Sequence, residues 1–326
     1  MNTSAQVPIW KQILRKNFLD LDQLACFLQL SSAQVKKLFA RPRFILNLPL
    51  RLAEKIEKGN LQDPIFRQFV PLSEEGISAN GFLTDPVGDI LCRSEKKLLR
   101  KYQGRVLLVT TGACAMHCRY CFRQNFDYEV VKGFESELKN IADDPSINEV
   151  ILSGGDPLSL DDSTLGDLLK KLANIPHVRK IRFHTRFPVG IPERINESFL
   201  NLLKSIRLQF WFIVHVNHPR ELDESVLLAL KSVQMLGIPV LNQSVLLKGV
   251  NDHPDVLIEL SSRLVDHGII PYYLHQLDRV SGSAHFEVSK QKGKRLMKIL
   301  TEKLPGYAVP KYVCEISGMP SKTAIV

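Results

Sequence analysis

The stretch Arg105-Val-Leu-Leu-Val-Thr-Thr-Gly-Ala-Cys114-Ala-Met-His-Cys118-Arg-Tyr-Cys121 decides the fold. Arg105 to Thr111 is a short apolar and β-branched run, which predicts a buried strand, and Gly112 ends it. The C-x3-C-x2-C run therefore leaves that strand at its C-terminal end, where parallel α/β sheets carry their sites. Three thiolates within eight residues can bind three irons of a cubane cluster and leave the fourth iron open to a small molecule.

Working outward, the strand is the first of a series. Ile147 to Ser153, Val178 to Thr185, Gln209 to Val216, Ile238 to Leu247 and Ile269 to His275 repeat the apolar pattern at the spacing of βα units. Between them, Asp162 to Ala173, Glu221 to Leu236 and Asp255 to Asp266 carry apolar residues three and four apart, as helices do. The expectation is an α/β fold, a partial barrel of six βα units over residues 101 to 326. Residues 1 to 100 differ: Leu19 to Phe39 and Leu50 to Lys58 read as helices, the second stopped by Gly59, and a Pro- and Gly-punctuated connection follows. A helical N-terminal subdomain is expected there.

Composition bounds the chemistry. The 326 residues are 44% hydrophobic, enough for a large core, and no apolar stretch approaches the ~18 residues that a membrane span needs. Six cysteines are sparse for a disulfide framework, and Met1 to Trp10 lacks the apolar centre of a secretion signal, so a reduced, cytoplasmic protein is expected. Closed structural zinc stays open as a reading of the three cysteines, although it needs a fourth ligand and His117 is tightly placed for that. Cys26, Cys92 and Cys314 have no mutual spacing and read as structural. The net charge of +9 would suit an acidic partner or RNA, but it is scattered rather than blocked, so a solvated basic surface is expected rather than a nucleic-acid face.

A second informative segment, Ile151-Leu-Ser-Gly-Gly-Asp-Pro-Leu158, ends the second strand. Gly154 and Gly155 would let backbone approach a ligand unobstructed, and Asp156 can accept bonds from an ammonium group. Alone, this is an ordinary strand-to-helix turn. Beside the cysteine loop, it resembles the radical S-adenosylmethionine superfamily, which has Tyr120-like aromatics before the last cysteine and a Gly-Gly motif at the second strand. That resemblance implies one [4Fe-4S] cluster on Cys114, Cys118 and Cys121, and S-adenosylmethionine held by Gly154, Gly155 and Asp156, with His215 and Gln243 in contact.

Further segments narrow the family. Tyr102-Gln-Gly-Arg-Val-Leu-Leu, Cys118-Arg-Tyr-Cys-Phe-Arg123, His184-Thr-Arg-Phe-Pro-Val, His215-Val-Asn-His-Pro, Asn242-Gln-Ser-Val-Leu-Leu-Lys-Gly-Val-Asn-Asp and Pro271-Tyr-Tyr-Leu-His-Gln-Leu-Asp278 are similar to the lysine 2,3-aminomutases. The resemblance implies pyridoxal phosphate bound covalently by Lys322, in a Gly318-Met-Pro stretch that departs from the family's glycine run. It implies that Tyr102 and Arg105 seat the cofactor phosphate, that Arg123 holds the substrate carboxylate, and that Asp278 and Glu315 hold a distal ammonium. The second of those acids is usually Asp, so the extra methylene of Glu315 would reposition the substrate and bear on product stereochemistry. L-Lysine as substrate, an external electron donor, and a functional link to elongation factor P and its lysine ligase follow from the same likeness. The sequence is also compatible with a homo-oligomer.

Plainer readings stand beside these. Lys322 is four residues from the end, where a solvated lysine is usual. Arg123 could bind a phosphate or pair with Asp127, Asp278 could pair with Arg279, Tyr102 and Arg105 could cap the first strand, and His215 could be a satisfied core histidine. Two other functions also fit the chain: a related aminomutase acting on another amino acid, and a non-enzymatic iron–sulfur protein that binds RNA or a translation factor.

Overall fold

Arg105–Thr111 is β3, the first parallel strand of a single sheet in a computed structural model that describes residues 7–128 and 132–326. Residues Met1 to Gln6 of the polar N-terminal stretch lie outside the described residues. Parallel pairing runs from β3 through β4 (Glu149–Gly154), β5 (Lys180–Thr185), β6 (Gln209–Val214), β7 (Val240–Leu246) and β8 (Ile270–Gln276). These are the six expected strands. The parallel set continues to a seventh, β9 (Lys311–Cys314), which the sequence concealed because it is four residues long and follows Pro310. Antiparallel strands flank both ends: β1 (Arg93–Glu95) and β2 (Leu98–Tyr102) before β3, and β10 (Thr323–Ala324) after β9. Pairing begins at β1 and ends at β10, so the barrel is partial.

Outer helices cover the strands. Asp162–Ala173 starts where Asp161 accepts the Thr164 N–H at 2.8 Å, and it buries Leu165, Leu168, Leu169 and Leu172, one stripe at helical spacing. Pro254–Asp266 likewise buries Leu257, Leu260 and Leu264. The helix expected from Glu221 begins instead at Glu224, because Asp223 caps it and Glu221 turns inward to a buried arginine.

The N-terminal segment departs further from expectation. Leu19 to Phe39 is not one helix but two, Leu21–Phe27 and Ser32–Val35. Gln29 adopts φ 55°, a left-handed conformation that ends the first, and the Ser31–Gln34 capping box starts the second. Leu50 to Lys58 shortens to Leu50–Glu54. Trp10, Leu24, Leu28, Phe66 and Phe69 from this segment join Val106, Leu152, Phe183 and Phe212 of the barrel in one continuous core. Each fully buried Phe or Leu contributes about 1.5–3 kcal/mol relative to exposure.

The Gly154–Gly155 turn has a structural task. The Gly155 N–H donates to the Thr111 carbonyl at 2.6 Å and the Asp156 N–H to the Ala113 carbonyl at 2.8 Å, which draws the end of β4 against the root of the cysteine loop. A Cβ on Gly155 would sit 2.3 Å from the Ala113 oxygen, closer than packing allows. What approaches these glycines most closely is thus the protein's own backbone. Gly155→Ala is expected to destabilise the fold by about 1–3 kcal/mol through overpacking. Thermal unfolding checks it, and an unchanged midpoint would show that the turn has slack.

Candidate active site

One cavity of about 570 Å³ opens at the C-terminal ends of the strands, and all fourteen side chains and glycines singled out from sequence line it. The cysteines occupy one region. Their loop is held by the N-terminal segment: Asn47 donates to the Cys114 carbonyl at 3.1 Å and Asn17 to the Ala115 carbonyl at 2.8 Å. The His117 N–H reaches the Asn47 carbonyl, and the Arg119 N–H the Gln68 carbonyl, each at 2.9 Å. Arg119 itself is buried and grips Glu75 with two donors, at 2.9 and 2.5 Å. Elements far apart in sequence therefore fix the loop that carries the thiols.

Cys114, Cys118 and Cys121 are free thiols on the cavity wall. Burial pushes Cys114 well up, the Asp156 carboxylate and the other two thiols adding to it, and burial with Cys118 pushes Cys121 up to about 11. Thiols raised in this way ionise only with positive charge close by. Among the described residues no group of three His, Cys, Asp or Glu closes into a shell for a metal ion. His117 donates from Nδ1 to the Ile45 carbonyl at 2.9 Å and stacks on Phe44 at 4.4 Å.

Two expected S-adenosylmethionine contacts are committed elsewhere. Asp156 accepts from the Leu158, Arg186 and Phe187 N–H groups at 2.7–3.0 Å and from the Thr185 hydroxyl, so its carboxylate braces β4 against β5 rather than waiting for an ammonium. His215 is a satisfied histidine: Nδ1 donates to the Gln243 carbonyl at 2.7 Å, and Nε2 accepts from the Tyr120 hydroxyl at 2.8 Å. Burial, with the nearby Arg186 charge, brings its pKa down to about 3, so the ring is neutral. Gly154 presents its carbonyl to the Tyr128 hydroxyl at 3.1 Å. Gln243 lines the cavity beside them.

Opposite charges alternate through another region. Lys322 Nζ lies 2.8 Å from Glu315 Oε2, and Lys101 Nζ lies 2.8 Å from Glu315 Oε1 and 2.6 Å from Asp89 Oδ1. Asp89 Oδ2 accepts from Arg123 Nε at 2.7 Å, and Arg123 Nη1 donates to the Ser153 hydroxyl at 3.2 Å. Burial pushes Glu315 up, but Lys322 and Lys101 outweigh it and hold the carboxyl down to about 2. Asp278 stands differently. Burial and then the Glu315 charge push it up to about 7, and its neighbour Arg279 pairs with Glu287 at 2.6 Å. A carboxyl poised near neutrality beside a cavity is a ready acceptor for a ligand cation.

Lys322 reaches this region because β10 folds back on β9, pairing Thr323 with Cys314 and Ala324 with Val313. The lysine near the end is thus tied to the sheet rather than solvated. Tyr102 and Arg105 pair across the β2–β3 turn, with the guanidinium 4.9 Å from the ring centroid, and both face the cavity. Arg123 pairs with Asp89 instead of Asp127. Asp89 and Lys101 carry no sequence signal for this site: Lys101 meets Glu315 across 214 residues, and the pairing of Asp89 with Lys101 and Arg123 follows neither helical nor strand spacing. A lysine nucleophile, aromatic and guanidinium neighbours, and alternating charges fit an anionic aldehyde cofactor such as pyridoxal phosphate.

The family pattern of the Radical SAM superfamily matches residues 108–260. The L-lysine 2,3-aminomutase of Haemophilus influenzae is 42% identical over 96% of this chain and 94% of its own. That of Escherichia coli K12 is 41% identical over 91% and 86%, and that of Clostridium subterminale 35% identical over 83% and 66%. Among solved structures, Streptococcus suis SuiB bound to the precursor peptide SuiA aligns with TM-score 0.50 at 14% identity, over 68% of this chain and 50% of that one, a likeness of fold. The chain belongs to the lysine 2,3-aminomutase family of radical S-adenosylmethionine isomerases, with a [4Fe-4S] cluster, S-adenosylmethionine and pyridoxal phosphate as its cofactors.

Proposed function

We propose that this chain converts L-lysine to (R)-β-lysine by moving the α-amino group to Cβ, and that the product serves modification of elongation factor P. One observation carries the reaction: the three thiols share a cavity with Lys322, Arg123, Glu315 and Asp278. The (R) configuration and the elongation factor P link rest on the sequence likeness set out above. Six unpaired cysteines agree with a reducing, cytoplasmic setting, and no helix among the described residues is long and apolar enough to cross a membrane.

The cofactors together supply a radical able to take hydrogen from an unactivated carbon and a π-system that eases nitrogen migration. Each residue has a complementary part. Cys114, Cys118 and Cys121 ligate the cluster, and the Gly154–Gly155 turn supports the S-adenosylmethionine beside it. Lys322 binds the pyridoxal phosphate, with Tyr102 and Arg105 at its phosphate. Arg123, already oriented by Asp89, offers its remaining donors to the substrate carboxylate, a fork that suits two oxygens. Asp278 takes the distal ammonium, and Glu315 lies close enough to share it. The wall of strands keeps water and stray hydrogen donors from the radical. The electron that the cluster would need comes from outside this chain, from an external one-electron donor.

Anaerobic reconstitution with iron, sulfide and pyridoxal phosphate, then incubation with L-lysine, S-adenosylmethionine and reductant, tests the proposal by chiral chromatography. β-Lysine of the (R) form is expected; unchanged lysine while another amino acid rearranges would move the chain to a different substrate. Lys322→Ala is expected to abolish both turnover and the visible absorption of lysine-bound pyridoxal phosphate, and survival of that band would reassign the lysine.

Asp278 supplies a pH test. Its folded pKa lies above the ordinary 3.8, so the ligand-free protein is favoured with the acid protonated and loses that contribution as pH rises from about 4 through about 7. A bound ammonium favours the ionised form, so L-lysine should bind the holoenzyme more tightly as pH rises from 6 to 8, with proton release in calorimetry. In Asp278→Asn this dependence should vanish; its persistence would place the titrating group elsewhere. Glu315→Asp, too short to hold both lysines, should weaken L-lysine binding roughly tenfold, the scale of one charged hydrogen bond. Unchanged affinity, turnover and product enantiomer would dismiss any role for the extra methylene.

A further inference from the structure

Arg186, directly after β5, has no part in the reaction as proposed, yet its guanidinium is buried against the cysteine loop. Nη2 donates to Glu221 Oε2 at 2.7 Å and to Gln68 Oε1 at 2.6 Å. Nη1 donates to the Tyr120 hydroxyl and, at 2.9 Å, to the sulfur of Cys118. The backbone is fixed as well, because the Arg186 N–H donates to Asp156 at 2.7 Å. Glu221 and Gln68 satisfy one side of the fork, while the other is aimed at a sulfur, a weak acceptor unless it is ionised.

We infer that Arg186 is a positioning residue for the iron–sulfur cluster, donating to the Cys118 thiolate and thereby favouring one-electron reduction of the cluster. This rests on the reading of Cys118 as a cluster ligand. Reduction takes [4Fe-4S]2+ and one electron from the external donor to [4Fe-4S]+; no covalent bond changes and Arg186 keeps its protons. The added negative charge spreads partly onto the ligating sulfurs. Glu221 and Arg186 form a buried dipole whose positive end faces Cys118, so it stabilises the reduced form more than the oxidised one.

The experiment uses the reconstituted holoenzyme, titrated with reductant and followed by the EPR signal of the reduced cluster. Arg186→Gln combined with Glu221→Gln removes the dipole without leaving a buried carboxylate unpaired, and Arg186→Lys keeps the charge but loses the fork. At a fixed poise the reduced-to-oxidised ratio should fall about tenfold in the double variant, equivalent to 59 mV for one electron, and less in Arg186→Lys. Equal midpoints at equal iron content would overturn the inference. The wild-type protein provides an independent arm: with 15N-guanidino-labelled arginine, the reduced cluster should show a 15N hyperfine coupling that Arg186→Lys removes. A cluster signal without that coupling, or with a coupling that Arg186→Lys retains, overturns the role of Arg186 alone. No cluster signal in the wild type would overturn the ligand assignment together with it.

Discussion

The buried ion pair between Arg186 and Glu221 joins more of this molecule than any other contact described. Arg186 follows β5, Glu221 follows β6, Gln68 comes from the N-terminal helix Pro64–Phe69, and Tyr120 belongs to the cysteine loop. Removing two such charges from water costs several kcal/mol each, a cost offset here by the partners of both carboxylate oxygens and both terminal guanidinium nitrogens, with Arg186 Nε left unmatched. Here Glu221 Oε1 accepts from the Asn217 and His218 N–H groups, at 3.0 and 2.9 Å, and from Gln68 at 3.0 Å, so its second oxygen is free for the arginine. The result is one register for four segments. Any slippage of the cysteine loop against β5 would strand a charge, which fixes the thiols relative to the barrel more firmly than apolar packing alone.

The other region of the cavity solves a related problem by different means. An enzyme that must bind a zwitterion with a distal cation needs both signs of charge in a confined space, and those charges must be tolerable when no substrate is present. Glu315 shared by Lys101 and Lys322, and Asp89 shared by Lys101 and Arg123, leave three cations and two carboxylates paired in alternation. Asp278 completes the set as an acid held near neutrality instead of a bare charge.

Much of this was legible. Cys114, Cys118 and Cys121 announced themselves by spacing, and the six central strands by apolar runs at regular intervals. Helices with clean caps, such as Asp162–Ala173, fell where their periodicity placed them. What stayed hidden has common physical causes. β1 and β2 carry charged residues and gain their place from pairing, β1 with β2 and β2 with β3, a tertiary effect that local pattern does not encode. The break at Gln29 needed a left-handed residue that is not glycine. Glu221 looked like a helix start because its hydropathy fits, and only its distant partner pulls it inside. Asp156 looked like a ligand group for the converse reason: nothing in Gly-Gly-Asp-Pro shows that Thr185, Arg186 and Phe187 would arrive to use its oxygens.

The division of labour between the two regions follows from what each reaction stage tolerates. Generation of a radical demands a fixed geometry, since an ångström of drift lets the radical find the wrong hydrogen. The cysteine loop is accordingly bound by backbone carbonyls and buried charges that cannot exchange partners with a ligand. Substrate recognition demands the reverse, charges that trade one partner for another as lysine enters and β-lysine leaves. Glu315 and Asp89 each hold two cations, so one can be given up while the other remains and neither carboxylate is left bare. Asp278, raised to about 7, would gain its full charge beside an arriving ammonium. A rigid region and an exchangeable one facing a single cavity are what a radical migration on a charged substrate requires.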